Sequence, residues 1–148
     1  MRHKPIKNKL FVQNRQRLAE LMAPKSLAVL NANDVLPTNA DGSLPMQPNA
    51  DLFYLSGIEQ EESVLLLYPV AAEEKHREIL FLRQPNEHLQ IWEGYKHSKA
   101  DARKISGIKN VQWLSEFPGM FRSLMCEAES AYLNSNEHKR ATEKVETR

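Results

Sequence analysis

The sequence predicts an α/β domain of three layers, a mixed β-sheet flanked by helices on both faces. Three observations carry that expectation. Helix-patterned segments alternate with short strand-like runs along the chain. Two of those runs, Ser63–Tyr68 and Glu78–Arg83, are continuously apolar in the middle, as strands covered on both faces are. The chain has 148 residues, 41% hydrophobic and 26% charged, enough for one globular domain with a sizeable core.

Residues 8–22 are the first element. Leu10, Phe11, Leu18, Leu21 and Met22 recur near helical spacing, with Arg15, Arg17 and Glu20 assigned to other faces, and Pro24 ends the helix. Leu27–Leu30 is a short apolar run that reads as a buried strand. Residues 31–51 hold three prolines, one glycine and several Asn and Asp, a long irregular loop of a length that suggests a role. Asp51–Ser56 is open between a strand and one helical turn, closing at Gly57. The strand Ser63–Tyr68 stops at Pro69, and polar Glu73–Arg77 connects it to the strand Glu78–Arg83 as a hairpin.

Asn86–Tyr95 reads as a short helix or turn. Ser98 is the expected N-cap of a helix Lys99–Ser106, with Gly107 as its C-cap. Val111–Leu114 is a short strand. Ser115 is the next N-cap candidate and Pro118 fits the first turn of a helix running to about Ser130, burying Phe117, Phe121, Leu124 and Met125. Ala131–Asn134 is a last strand. Residues 135–148 are almost wholly polar and read as a linker.

The net charge of +1 favours no partner, and basic and acidic residues are interspersed, without the basic stripe that tracks phosphates. Nucleic acid is therefore not an expected partner. No run approaches the roughly 18 apolar residues of a membrane span. The apolar stretch Leu10–Val12 is too short for a secretory signal. The single cysteine, Cys126, permits no internal disulfide, and the expected compartment is the cytoplasm.

Candidates for chemistry are few. The five histidines show no His-Glu-x-x-His spacing, and a metal site at His88 and His97 is weaker than the plain reading of surface histidines. Cys126 is expected to be a buried or half-buried apolar side chain, since nothing near it would lower its pKa. Glu59, Glu61 and Glu62 could run acid–base or metal chemistry, but a solvated turn before a strand is the simpler expectation. No glycine-rich phosphate loop and no Gly-x-Ser-x-Gly elbow occurs. Trp92 and Tyr95 are either an exposed aromatic edge for peptide or partner contact, or packed on the sheet.

Two segments resemble a known family. Pro45-Met46-Gln47-Pro48-Asn49-Ala50-Asp51-Leu52-Phe53-Tyr54-Leu55-Ser56-Gly57-Ile58, followed by Glu61 and Val64–Leu67, is similar to the N-terminal signature of aminopeptidase P. Ile79–Arg83 followed by Ile91-Trp92-Glu93-Gly94-Tyr95-Lys96 resembles the family's strand ending in Arg and its Trp-x-Gly-x-Arg segment. Ala102, Gly107-Ile108, Val111 and the helix with Arg15–Leu18 fall in register, so the likeness covers roughly residues 9–134. There are departures. Met46-Gln47-Pro48 stands where the family has Tyr-Arg-Gln, and Lys96 keeps the charge of the family's Arg without its bidentate fork.

The resemblance implies an N-terminal domain over 1–134 of the creatinase/prolidase type, a ribonuclease-H-like mixed sheet, with 135–148 leading to a C-terminal catalytic domain. The implied activity of the parent is release of an N-terminal residue that precedes proline, with two manganese ions activating water in that other domain. This chain then supplies no catalytic residue and no metal ligand. Its implied work is to support homo-oligomers and the entrance through which peptide substrate passes. Trp92, Tyr95, Asn49, Asp51 and Tyr54 are the entrance or interface candidates, Trp92 foremost. The alternative is a stand-alone binding or scaffold module with no catalytic partner.

Overall fold

In the computed structural model, residues 6–35, 47–85 and 96–135 are described. Residues 1–5, 36–46, 86–95 and 136–148 lie outside them, and with them most of the expected loop 31–51, the expected helix or turn Asn86–Tyr95 and the expected linker. The elements are, in chain order, α1 (Asn8–Leu21), β1 (Ser26–Asn31), α2 (Ala50–Ser56), β2 (Val64–Leu67), β3 (Glu78–Leu82), α3 (Lys99–Ser106), β4 (Asn110–Trp113), α4 (Phe117–Met125) and β5 (Ser130–Leu133).

The sheet order is β4-β3-β2-β1-β5, so the most apolar run, β2, lies at its centre. β2 pairs antiparallel with β1 (Val29 opposite Leu66) and with β3 (Leu65 opposite Leu80). β4 runs parallel to β3 and β5 parallel to β1, which makes the sheet mixed. Successive side chains point to opposite faces. Ala28, Leu30, Leu65, Leu67, Leu80, Leu82 and Val111 meet Leu52, Leu55, Ala102 and Ile108 from the α2 and α3 side, with Leu18 and Met22 of α1 against them. On the other face, Leu27, Val29, Leu66, Ile79 and Phe81 meet Leu124, Phe117 and Phe121 of α4. This is the expected three-layer α/β arrangement. Burying each such leucine contributes about 2 kcal/mol relative to exposure.

Local chemistry sets several element ends. Ser98 accepts from Asp101 N–H and starts α3, and Gly107 ends it in the left-handed conformation, as the sequence predicts. The ambiguous stretch near Asp51 is helical, with Asn49 as N-cap and Gly57, also left-handed, as C-cap. Both glycines sit under α1. A Cβ on Gly57 would lie 2.5 Å from the Phe11 ring, and one on Gly107 would lie 2.8 Å from Val12 Cγ2. The hairpin connection between β2 and β3 holds one 3-10 turn, Glu74–His76.

Five expectations need correction. The buried stripe of α1 runs through Phe11, Asn14 and Arg15, while Leu10 and Leu21 lie at its rim and are exposed. Arg15, assigned to a polar face, is 1% exposed because the ends of α2 and α3 supply partners for its guanidinium. Ser115 caps nothing, since it lies inside a 3-10 turn, Leu114–Glu116, ahead of α4. α4 stops at Met125 rather than near Ser130 because the chain must return to the sheet, where Glu129 N–H donates to Lys25 O at 2.8 Å and β5 begins. Cys126, at the end of this shortened helix, is exposed rather than buried.

Candidate interaction site

Asn49 is the hub of a buried polar cluster. Its Oδ1 accepts from the backbone N–H groups of Asp51 and Leu52 and from Asn134 Nδ2, each at 3.1 Å. Its Nδ2 donates to Asn33 Oδ1 at 3.1 Å. Asn134 in turn pairs with the main chain of Asn31 in both directions, which extends the β1–β5 ladder by one side chain. Asparagine fits this position because a single amide offers both donors and acceptors. The cluster joins the start of α2 to the ends of β1 and β5.

One turn further on, Asp51 and Tyr54 reach the surface. They line an open groove of about 430 Å³ between α1, α2 and the β5 edge. Leu21, Tyr54, Tyr132 and Leu133, all among the exposed large hydrophobic residues, line it too. β5 is exposed along its whole length. An edge strand with an apolar groove beside it is a surface suited to contact with further polypeptide.

The acidic turn at 59–62 is less solvated than its composition suggests. Glu61 is 17% exposed and pairs with Lys96 Nζ. Arg83 approaches Glu61 at 4.0 Å and Glu62 at 3.6 Å. Gln60 Oε1 accepts from His97 N–H at 2.7 Å. Burial pushes the Lys96 ammonium below the ordinary lysine range. Burial likewise lowers the His97 pKa, against the smaller upward pull of Asp101 and Glu59.

Of the five candidate residues, the structure places Asn49 in the interior and Asp51 and Tyr54 on one helix beside it. Trp92 and Tyr95 fall outside the described residues, as does His88. Sequence reasoning missed Arg15, Asn33, Asn134 and Gln60. Only Asn49 had a local signal of its bonding, an Asn two residues before Asp at the start of an apolar helix. Among the described residues, no group of three or more His, Cys, Asp or Glu could hold a metal ion. No described helix is long and apolar enough to cross a membrane.

Fold and surface thus define an α/β domain with a buried asparagine cluster, an apolar groove and a charged turn. Residues 11–134 match the family described as aminopeptidase P, N-terminal domain, and the chain belongs to that family. It is 27% identical over 134 residues to an Xaa-Pro aminopeptidase of Escherichia coli, covering 90% of this chain and 30% of that protein. A solved structure of zinc-substituted E. coli aminopeptidase P in complex with product superposes with a TM-score of 0.78 at 26% identity, covering 97% of this chain and 32% of that one. Aminopeptidase PepP of Pseudomonas aeruginosa shares the fold at a TM-score of 0.80 and 20% identity, over 97% of this chain and 32% of that one. The chain therefore spans about a third of the length of these relatives.

Proposed function

We propose that this chain is the non-catalytic N-terminal domain of a metal-dependent Xaa-Pro aminopeptidase, an enzyme that removes an N-terminal residue preceding proline. The observation that carries the reading is the match across residues 11–134 to a domain that makes up only the first part of the aminopeptidase. A relative solved in a zinc-substituted form supports a metal in the catalytic domain, and manganese, as two ions, is the assignment we favour there. The described residues of this chain offer no donor set for it. What they offer is contact surface. The groove beside β5 suits the domain's own catalytic partner, and a homo-oligomer in the cytoplasm is the proposed assembly. Trp92 and Tyr95 are assigned to the wall of the peptide entrance, where a flat aromatic face can pack against substrate.

The reading is tested by incubating the 148-residue chain with manganese and an Xaa-Pro peptide. No release of the N-terminal residue is expected. Turnover that depends on added metal would place a reaction centre in this chain and overturn the assignment.

A further inference from the structure

We propose that β5 is a releasable strap, held on the sheet by polar ties and locked chiefly by Asn134. Among the described strands β5 alone has no buried residue, whereas β2 is buried throughout. Its large side chains, Tyr132 and Leu133, stay exposed, so burial contributes far less here than at β2. Besides the short parallel ladder to β1, the ties of β5 are polar. At its start, Glu129 N–H donates to Lys25 O at 2.8 Å, and the two side chains pair at 2.9 Å. Midway, Tyr132 Oη accepts from Ala23 N–H at 3.3 Å. At its end, Asn134 Oδ1 accepts from Asn31 N–H at 2.8 Å. Asn134 Nδ2 donates to Asn31 O at 3.0 Å and to Asn49 Oδ1 at 3.1 Å.

The two ends are unequal. The Lys25–Glu129 pair lies in solvent, where such pairs contribute little. Lys25 also has φ of +54°, in the left-handed region that costs a non-glycine residue energy. Asn134 is half-buried, and its one amide makes three bonds. Two of them add a rung to the ladder with β1. The third runs to buried Asn49, whose Oδ1 also caps α2. Releasing β5 therefore means breaking the Asn134 bonds, and the start of α2 loses a partner when that happens. The chain passes on through the same place, since Ser135 O accepts from Asn49 Nδ2 at 3.4 Å. The purpose of the strap rests on the proposed reading. With a catalytic domain attached beyond β5, a closed strap holds the two domains in one orientation and an open one lets them turn.

Native-state hydrogen exchange of the intact chain, read residue by residue by NMR at low urea, tests it. The β5 amides and Asn31 N–H are expected to exchange through a small opening. Their urea dependence is then well below that of β2 and β3 amides, which wait for global unfolding. Asn134→Ala is expected to speed exchange of the β5 amides about tenfold or more without raising that urea dependence. Glu129→Gln, which removes only the exposed ion pair, is expected to speed it less than about threefold. Asn49→Ala, which takes one acceptor from Asn134, is a second variant and is expected to act in the same direction as Asn134→Ala. Should neither asparagine variant fold, the urea dependence of the unaltered chain remains a test by itself. A β5 urea dependence equal to that of β2 would overturn the strap. So would β5 rates that ignore Asn134→Ala, or a Glu129→Gln effect as large. The readout needs neither peptide substrate nor catalytic domain, so its failure leaves the aminopeptidase reading standing, and turnover by the isolated chain would leave the strap standing.

Discussion

The helices α2 and α3 close on the same three residues, Ser56-Gly57-Ile58 and Ser106-Gly107-Ile108, and form the same bonds there. Each serine Oγ donates to the carbonyl four residues back at 2.7 Å and accepts from the isoleucine N–H, at 3.2 Å in α2 and 3.1 Å in α3. Arg15 Nη1 then donates to Leu55 O at 2.7 Å and to Ser106 O at 3.0 Å, so one guanidinium satisfies both helix ends. The beginnings of the two helices differ. Asn49 caps α2 from within the buried asparagine cluster, whereas Ser98 caps α3 from the surface. The comparison teaches that the shared ends answer to one neighbour, α1, while the unlike beginnings face different surroundings. One is sealed against the ends of β1 and β5. The other follows directly on Lys96 and His97, which meet Glu61 and Gln60.

The largest test of the shared ends is Arg15→Met. It leaves two helix carbonyls without their donor and Glu78, 3.1 Å from Arg15 Nε, without its cation. Loss of about 3 kcal/mol is expected, at the low end for a broken buried pair because Glu78 reaches solvent. Urea denaturation measures it, and a loss below about 1 kcal/mol would show that the two ends hold without Arg15.

The unlike beginnings are separated by a pair of alanine variants. Asn49→Ala removes a cap and takes one hydrogen bond each from Asn33 Oδ1 and Asn134 Nδ2, for an expected cost of about 2 kcal/mol. Ser98→Ala removes an exposed cap, at about 1 kcal/mol or less. Equal costs in the same denaturation experiment would mean that the buried cluster adds nothing beyond capping.

The smallest effect concerns pH at the start of α3. The folded chain holds the His97 pKa below 6.5, so between the two values the unfolded chain binds more protons. The contribution of His97 is fully present above the ordinary histidine range and is lost as pH falls through the folded pKa. His97→Gln is expected to flatten the stability curve below pH about 6.5, and an unchanged slope would remove His97 as its source.

Helix α3 was legible to the residue because a serine cap, a run of helix formers and a glycine stop are local signals. β2 and β3, whose apolar runs need both faces covered, were legible to within one residue at their ends. Helix α2 was not, since its seven residues are too few to show a period. Asn49 and the residues around it stood out through the family resemblance, but the reason for an asparagine emerged only from its partners. Arg15 looked like a solvated charge because its acceptors lie 40 and 91 residues away.

The sequence by itself determined most of the helices and strands, α2 and the limits of α4 excepted, and that the sheet is covered on both sides, because capping, turn chemistry and apolar runs act between near neighbours. Only the tertiary structure decided the strand order, the burial of Arg15, the asparagine cluster and the meeting of Arg83 with Lys96 on one turn. Each of those depends on groups brought together from distant parts of the chain, where partner and distance exist only after the core has formed.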